Sequence, residues 1–159
     1  MASWSFEVRK ATVEDIPEIQ KITKEAFKKY IELAGITDEI EALNETYEDI
    51  KRDIETKEVF VAYIDGIPVG SARVEVFPDG TAYLSRFGVR LDYQNRGVGK
   101  AIINVVDMAM KELGVKKLYL HTASKAFPLI RFYYGRKFYI VSTTTDRGYI
   151  RALLCKEYD

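Results

Sequence analysis

The chain has 159 residues, 47% of them hydrophobic and 13% aromatic, which predicts one domain over residues 1–159 with a single core. Its 24 basic and 24 acidic residues cancel, and a pI near 6.6 excludes a whole-surface attraction to nucleic acid or to an anionic membrane. The balance is uneven along the chain, with 18 acids and 10 bases in residues 1–79 (net −8) against 6 acids and 14 bases in residues 80–159 (net +8).

Cys155 is the one cysteine and His121 the one histidine, so no intramolecular disulfide can form and a structural metal site is not expected. Met1 to Lys10 lacks a signal-length apolar stretch. No run approaches the roughly 18 apolar residues of a membrane span, since Asn104 interrupts the nearest, Ala101–Val106. These features predict a soluble, cytoplasmic protein.

Phe6–Lys10 reads as a first strand. Thr12-Val-Glu-Asp15 is close to a capping box, and Ile16, Ile19, Thr23, Phe27 and Tyr30 recur at helical spacing up to Ala34, before Gly35. A second box, Thr46-Tyr-Glu-Asp49, opens a helix with Ile50 and Ile54 on one face. Val59–Ile64, the turn Asp65-Gly66, Pro68–Phe77, the turn Pro78-Asp79-Gly80 and Thr81–Val89 form a three-stranded meander. Within it Arg73 and Glu75 project outward against Ala72, Val74 and Val76. The period then becomes helical from Gly97 to Leu113, stopped by Gly114. Lys117–Thr122 is a strand, Lys125–Tyr134 a helix, and Phe138–Thr144 and Tyr149–Lys156 a closing strand pair. The order β-α-α-β-β-β-α-β-α-β-β predicts an α/β layout around a mixed sheet.

The sharpest local feature runs from Val89 to Lys100, where a strand ends, a polar turn follows, and a helix opens on Gly97 and Gly99. Free N–H groups at a helix N-terminus suit a phosphate, and Arg96 and Lys100 add positive charge. A Walker A loop fails at Gln94 and Ala101, and a dinucleotide fingerprint starting at Gly97 fails at Ile102. The pattern Q/R-x-x-G-x-G/A is met in full by Gln94, Gly97 and Gly99.

On Phe87–Lys100, and on Leu118–Phe138 with its Ile130-Arg-Phe-Tyr133, the chain resembles the GNAT superfamily of N-acetyltransferases. The order of elements agrees over nearly the whole chain. The resemblance implies a mixed, mostly antiparallel sheet with helices on both faces and a splay between the fourth and fifth strands, Thr81–Val89 and Lys117–Thr122. It implies acetyl-CoA as cosubstrate, with no metal. The backbone of Phe87, Gly88 and Val89 would pair with the pantetheine, and the N–H groups of Gln94, Asn95, Arg96, Gly97, Val98, Gly99 and Lys100 would wrap the pyrophosphate. Gly88 is consistent with a bulge that opens the ladder. Arg96, Lys100 and Arg131 would face the phosphate charge.

Tyr133 matches the family tyrosine that acts as general acid toward the departing thiolate, a task suited to a phenol with a pKa near 10. Two departures stand out. Ala126 replaces the asparagine that often opens this helix, and Lys137 replaces the glycine before Phe138, so the helix is expected to end early near Gly135. The general base is Glu75 or His121, the first on an outward strand position and the second beside the expected splay. Cys155 reads as a small buried hydrophobe rather than an acyl carrier, which favours direct attack in a ternary complex.

Residues 31–50 carry Glu32, Asp38, Glu39, Glu41, Glu45, Glu48 and Asp49 with no Lys or Arg. The resemblance places this segment over the acceptor pocket, where it would attract a cationic amine, polyamine or lysine-bearing peptide. An N-acetyltransferase is one reading. A non-catalytic acyl-CoA-binding sensor on the same fold is the alternative, and composition leaves a homodimer open.

Overall fold

The computed structural model describes residues 6–35 and 41–159. The strands are β1 (Phe6–Lys10), β2 (Glu58–Ile64), β3 (Ile67–Val76), β4 (Thr81–Val89), β5 (Lys117–Ala123), β6 (Tyr139–Thr144) and β7 (Arg151–Glu157). The helices are α1 (Ile16–Ala34), α2 (Tyr47–Thr56), α3 (Val98–Glu112) and α4 (Phe127–Gly135). The seven strands form one sheet in the order β1-β2-β3-β4-β5-β7-β6, antiparallel throughout except for the parallel pair β4–β5. This is the mixed, mostly antiparallel sheet the sequence predicts.

Both capping boxes form. The Asp15 carboxylate accepts the Thr12 N–H at 2.7 Å, and the Asp49 carboxylate accepts the Thr46 N–H at 3.0 Å while Thr46 Oγ1 accepts the Asp49 N–H at 3.2 Å. Each box satisfies N–H groups that a helix start otherwise leaves unpaired. Asp15 does more than cap: it accepts from Arg9 and from the Tyr63 hydroxyl, which ties the α1 start to β1 and β2.

The helices cover both faces of the sheet. Val74, Ala82, Leu84, Leu118 and Leu120 pack with Ile102, Ile103, Val106 and Met110 of α3 in the main core. On the opposite face Ile16 and Ile19 of α1 and Ile50 of α2 pack on Val59. The alternation along β3 explains which residue goes where, with one correction. Arg73 does not project into water; it is 0% exposed, sealed under α1 and α2. Its guanidinium binds Glu45 at 2.6 and 2.8 Å and Asp53 at 2.9 Å, because a charge under two helices is tolerable only when paired.

Boundaries differ from the sequence reading by one or two residues. The start of β7 moves from Tyr149 to Arg151, and α4 starts at Phe127, two residues later than expected, because Ala126 is its cap. Among the described residues, no helix is long and apolar enough to cross a membrane, and no group of three or more His, Cys, Asp and Glu could hold a metal ion. The N-terminal residues 1–5 of the stretch searched for a signal lie outside the described residues.

Candidate active site

The β4–β5 pairing runs through Thr81↔Lys117, Ala82↔Leu118 and Tyr83↔Tyr119 only. Beyond Tyr83 the strands part, which is the expected splay. On its other edge β4 stays bonded to β3, but the register shifts between Ser71↔Gly88 and Arg73↔Ser85. Arg86, with φ of +52°, is the residue that bulges. The sequence reading placed this bulge at Gly88, two residues too late. Gly88 has another cause: a Cβ there would stand 2.6 Å from the Ala26 Cβ, so α1 can lie against β4 only over a glycine.

After Val89 the chain turns and enters α3. The Glu25 carboxylate of α1 accepts the Leu91 N–H at 2.7 Å, and the Gln94 side chain donates to the Val89 carbonyl at 3.1 Å, so the turn is held from both sides. Asn95 (φ +62°) and Gly97 (φ +82°) take left-handed conformations that fold it back sharply. The first intrahelical bond of α3 joins the Ala101 N–H to the Gly97 carbonyl at 3.0 Å, so the preceding N–H groups of Val98, Gly99 and Lys100 point out of the helix end. Gln94, Asn95, Arg96, Gly97 and Lys100 are exposed, Val98 is buried, and Gly99 lies under the Phe87 and Phe132 rings. Arg96 sits over the Tyr93 ring at 5.3 Å, and Arg131 is exposed on α4. Aligned N–H donors, the positive helix end and exposed cations make this corner an anion cradle.

Aromatic rings line the floor between the cradle and the gap. Phe87 of β4 stacks on Phe132 with centroids 5.7 Å apart, and Tyr133 lies 6.1 Å from Phe87 and 5.6 Å from Phe138. Tyr133 is 6% exposed. Burial, reinforced by Tyr30 and Tyr83, pushes its phenol above the ordinary range, so it holds its proton at any physiological pH. Helix α4 ends at Gly135 and Lys137 takes φ of +76°, the left-handed turn for which a glycine would be the ordinary choice. Ala126, where the family often has asparagine, is fully buried and packs with Ala34 and Ala123.

On the α1–α2 face, two residues sit at the fork where β4 and β5 part. The Tyr83 hydroxyl lies 2.6 Å from His121 Nδ1, bridging the strands. Burial, then the Arg151 charge, lowers the His121 pKa, so the ring is neutral near pH 7. Glu75 is exposed on β3 opposite Tyr83 in register, one strand further from the gap. Sequence reasoning missed Tyr83, one of 11 tyrosines; its signal was strand parity with Glu75, but nothing local pairs it with His121. It also missed Tyr30 as a polar group. Its oxygen accepts the Ala123 N–H of β5 at 2.8 Å, and burial with Tyr149 pushes its pKa to about 12.

The acidic flank is partly neutralised from within. Glu45 is shared by Arg73 and by Arg86, the bulge residue, whose Nε lies 3.3 Å away. A cavity of about 520 Å³ beside it is lined by Glu41, Glu45, Asp49 and Asp53, but also by Arg52, Lys57 and Arg86. Asp38 and Glu39 lie outside the described residues.

Residues 17–138 match the model of the acetyltransferase (GNAT) family. The chain belongs to that family. The GNAT fold recurs in solved structures along almost the full length. An N-acetyltransferase PaiA from Thermoplasma acidophilum, in complex with coenzyme A, is similar with a TM-score of 0.85 at 22% identity, over 97% of this chain and 99% of that one. The ribosomal-protein-S18-alanine N-acetyltransferase of Escherichia coli gives 0.76 at 18% identity, over 96% and 93%. A Bacillus subtilis strain 168 protein that carries an acetyltransferase assignment is 33% identical over 66 residues, 42% of this chain and 44% of that protein. The match therefore spans less than half of that relative's length.

Proposed function

We propose that this GNAT protein transfers the acetyl group of acetyl-CoA to an amine by direct attack in a ternary complex. The observation that carries the reading is the gap between β4 and β5, which has the anion cradle of α3 at one end and the protonated phenol of Tyr133 beside it. The residues fit the cosubstrate. On β4, Gly88 and Val89 pair with Ser71 and Gly70 of β3 on one edge, and with Phe87 they leave the other edge to the gap, where amides of an extended chain can add as a strand does. The Gln94 N–H is taken by the Leu91 carbonyl at 3.4 Å, so the N–H groups from Asn95 to Lys100, with Arg96, Lys100 and Arg131, supply donors and positive charge for a pyrophosphate. The likeness to the Thermoplasma protein bound to coenzyme A supports the same choice.

Acetyl-CoA, when bound, supplies a thioester carbonyl and a thiol leaving group. Tyr133 donates a proton to the departing sulfur, which its raised pKa permits because the phenol is never ionised at neutral pH. His121, neutral and at the fork, takes up the proton that an ammonium must lose before it can attack. Glu75 is the more distant candidate, since β4 stands between it and the gap, about 4.8 Å per strand. Cys155 is 1% exposed and takes no acyl group.

Thiol release from acetyl-CoA across a panel of amines tests the reading, with Tyr133→Phe as the variant. The expected result is turnover with at least one amine and a fall in kcat of about 100-fold in Tyr133→Phe, with acetyl-CoA affinity kept. At about 100 times its Kd, acetyl-CoA should stabilise the fold by roughly 2.7 kcal/mol. Absence of that stabilisation refutes the cofactor, and binding without turnover on any amine replaces the enzyme by an acyl-CoA-binding module.

A further inference from the structure

Tyr83 is the last β4 residue paired with β5, and its hydroxyl reaches across the fork to His121 Nδ1 at 2.6 Å. The nitrogen of His121 that faces the fork is therefore already engaged by a phenol. The Tyr83 oxygen thus offers a path from a group held in the gap to that nitrogen. A phenol that donates its O–H to Nδ1 and accepts the His121 backbone N–H keeps one oxygen lone pair for an incoming N–H.

We propose that Tyr83 and His121 act as a two-residue proton relay that deprotonates the amine acceptor, with Tyr83 the group that touches it. This deepens the acetyl-transfer reading and rests on it. The ammonium N–H bond breaks and its proton passes to Tyr83 Oη. The Tyr83 O–H bond breaks in the same step and that proton passes to His121 Nδ1, giving an imidazolium. The lone pair freed on nitrogen forms the new bond to the acetyl carbon and the C–S bond then breaks. The second N–H proton of the adduct replaces the one that Tyr133 gives the departing sulfur, and water later removes the imidazolium proton.

The surroundings suit this division of labour. Tyr83 alone is a poor base, because burial raises its pKa and a free phenolate is never formed. Coupling to the imidazole avoids the phenolate. The charged groups that bear on His121 are Arg151 of β7 and Asp146 and Arg147 in the turn before it, with Tyr83 of β4 in direct contact and Glu75 of β3 opposite Tyr83. Asp146 is held by Arg151 at 3.2 Å, which leaves the net local influence positive and keeps the ring neutral.

Because His121 is the single histidine, its ring nitrogens give the only imidazole signals of the chain by ¹⁵N NMR. The relay requires Nδ1 unprotonated in the wild type and a mixture of tautomers in Tyr83→Phe. An Nδ1–H tautomer in the wild type overturns it. In turnover with an alkylamine at pH 7, Tyr83→Phe and His121→Gln should each lose about 100-fold in kcat while the KM for acetyl-CoA moves less than twofold. The double variant should be no slower than the slower single one. Both deficits should shrink with an acceptor whose amine pKa lies near 7, which arrives already deprotonated. Melting curves check that each variant folds, and a deficit equal for both acceptors, or Tyr83→Phe as fast as wild type, overturns the relay. A wild type that acetylates no amine refutes the acetyl-transfer reading, before any variant is made.

Discussion

Arg73→Met removes the one charge that is completely buried among the described residues, and its cost follows from the partners it leaves. The guanidinium binds Glu45 twice, Asp53 once and Thr23 Oγ1 at 3.4 Å, while its Nε finds no partner. Burial pulls its pKa down, but the bonds to Glu45 and Asp53 outweigh this, so the guanidinium stays charged. Breaking a buried ion pair by removing one partner typically costs about 3–5 kcal/mol, because the other charge is stranded. Here Glu45 keeps Arg86 at 3.3 Å and Asp53 keeps Lys57 at 3.3 Å, and one unpartnered donor disappears, so the expected loss is about 2–3 kcal/mol. That corresponds to a fall in Tm of roughly 5–10 °C for a chain of this size. Urea unfolding at pH 7 reads it directly, and the loss should persist in 1 M salt because a buried pair is little screened. Adding Glu45→Gln and Asp53→Asn to Arg73→Met should recover at least half of it. A single variant within about 0.5 kcal/mol of wild type, or a triple variant less stable than the single, refutes the ion-pair account.

Three further outcomes are expected. Burial raises the Asp15 carboxyl, but hydrogen bonds from Arg9, the Thr12 N–H and Tyr63 outweigh it and hold its pKa at about 2 against an ordinary 3.8. A depressed carboxyl stabilises above its unfolded pKa, so Asp15→Asn should cost about 1–2 kcal/mol at pH 7, allowing for the part-exposed Arg9, and the gap should close between pH 3.8 and 2. A gap unchanged down to pH 2 contradicts this in acid titration of stability. Gly88→Ala should destabilise by about 1–3 kcal/mol through its clash with Ala26, and Ala26→Gly should restore most of that in chemical denaturation. Lys137→Gly should stabilise by about 0.5–1 kcal/mol, since it relieves the left-handed strain at φ +76°; a loss of stability would show that Lys137 makes a compensating contact.

The order of elements, both capping boxes, the Gln94–Gly99 turn and the family were legible in the sequence, because each is written in neighbouring residues. Periodicity shows a helix face, Thr12 and Asp15 cap a helix across three positions, and two glycines open α3. The glycine of the bulge was misread, since Gly88 answers to Ala26, 62 residues away along the chain. Arg73 reads as an outward charge until α1 and α2 close over it with Glu45 and Asp53 in reach. For the same reason the acidic stretch of residues 31–50 looks uncompensated in one dimension, although Arg73 and Arg86 of the next strands neutralise Glu45 in three. The division of charge between the two halves survives at the α3 cradle, where Arg96 and Lys100 are local to the turn. What the sequence by itself determined is therefore what near neighbours decide through backbone geometry. Only the tertiary structure decided the pairing of Tyr83 with His121 and the fate of Arg73, because a partner brought from another strand or helix leaves no mark beside either residue.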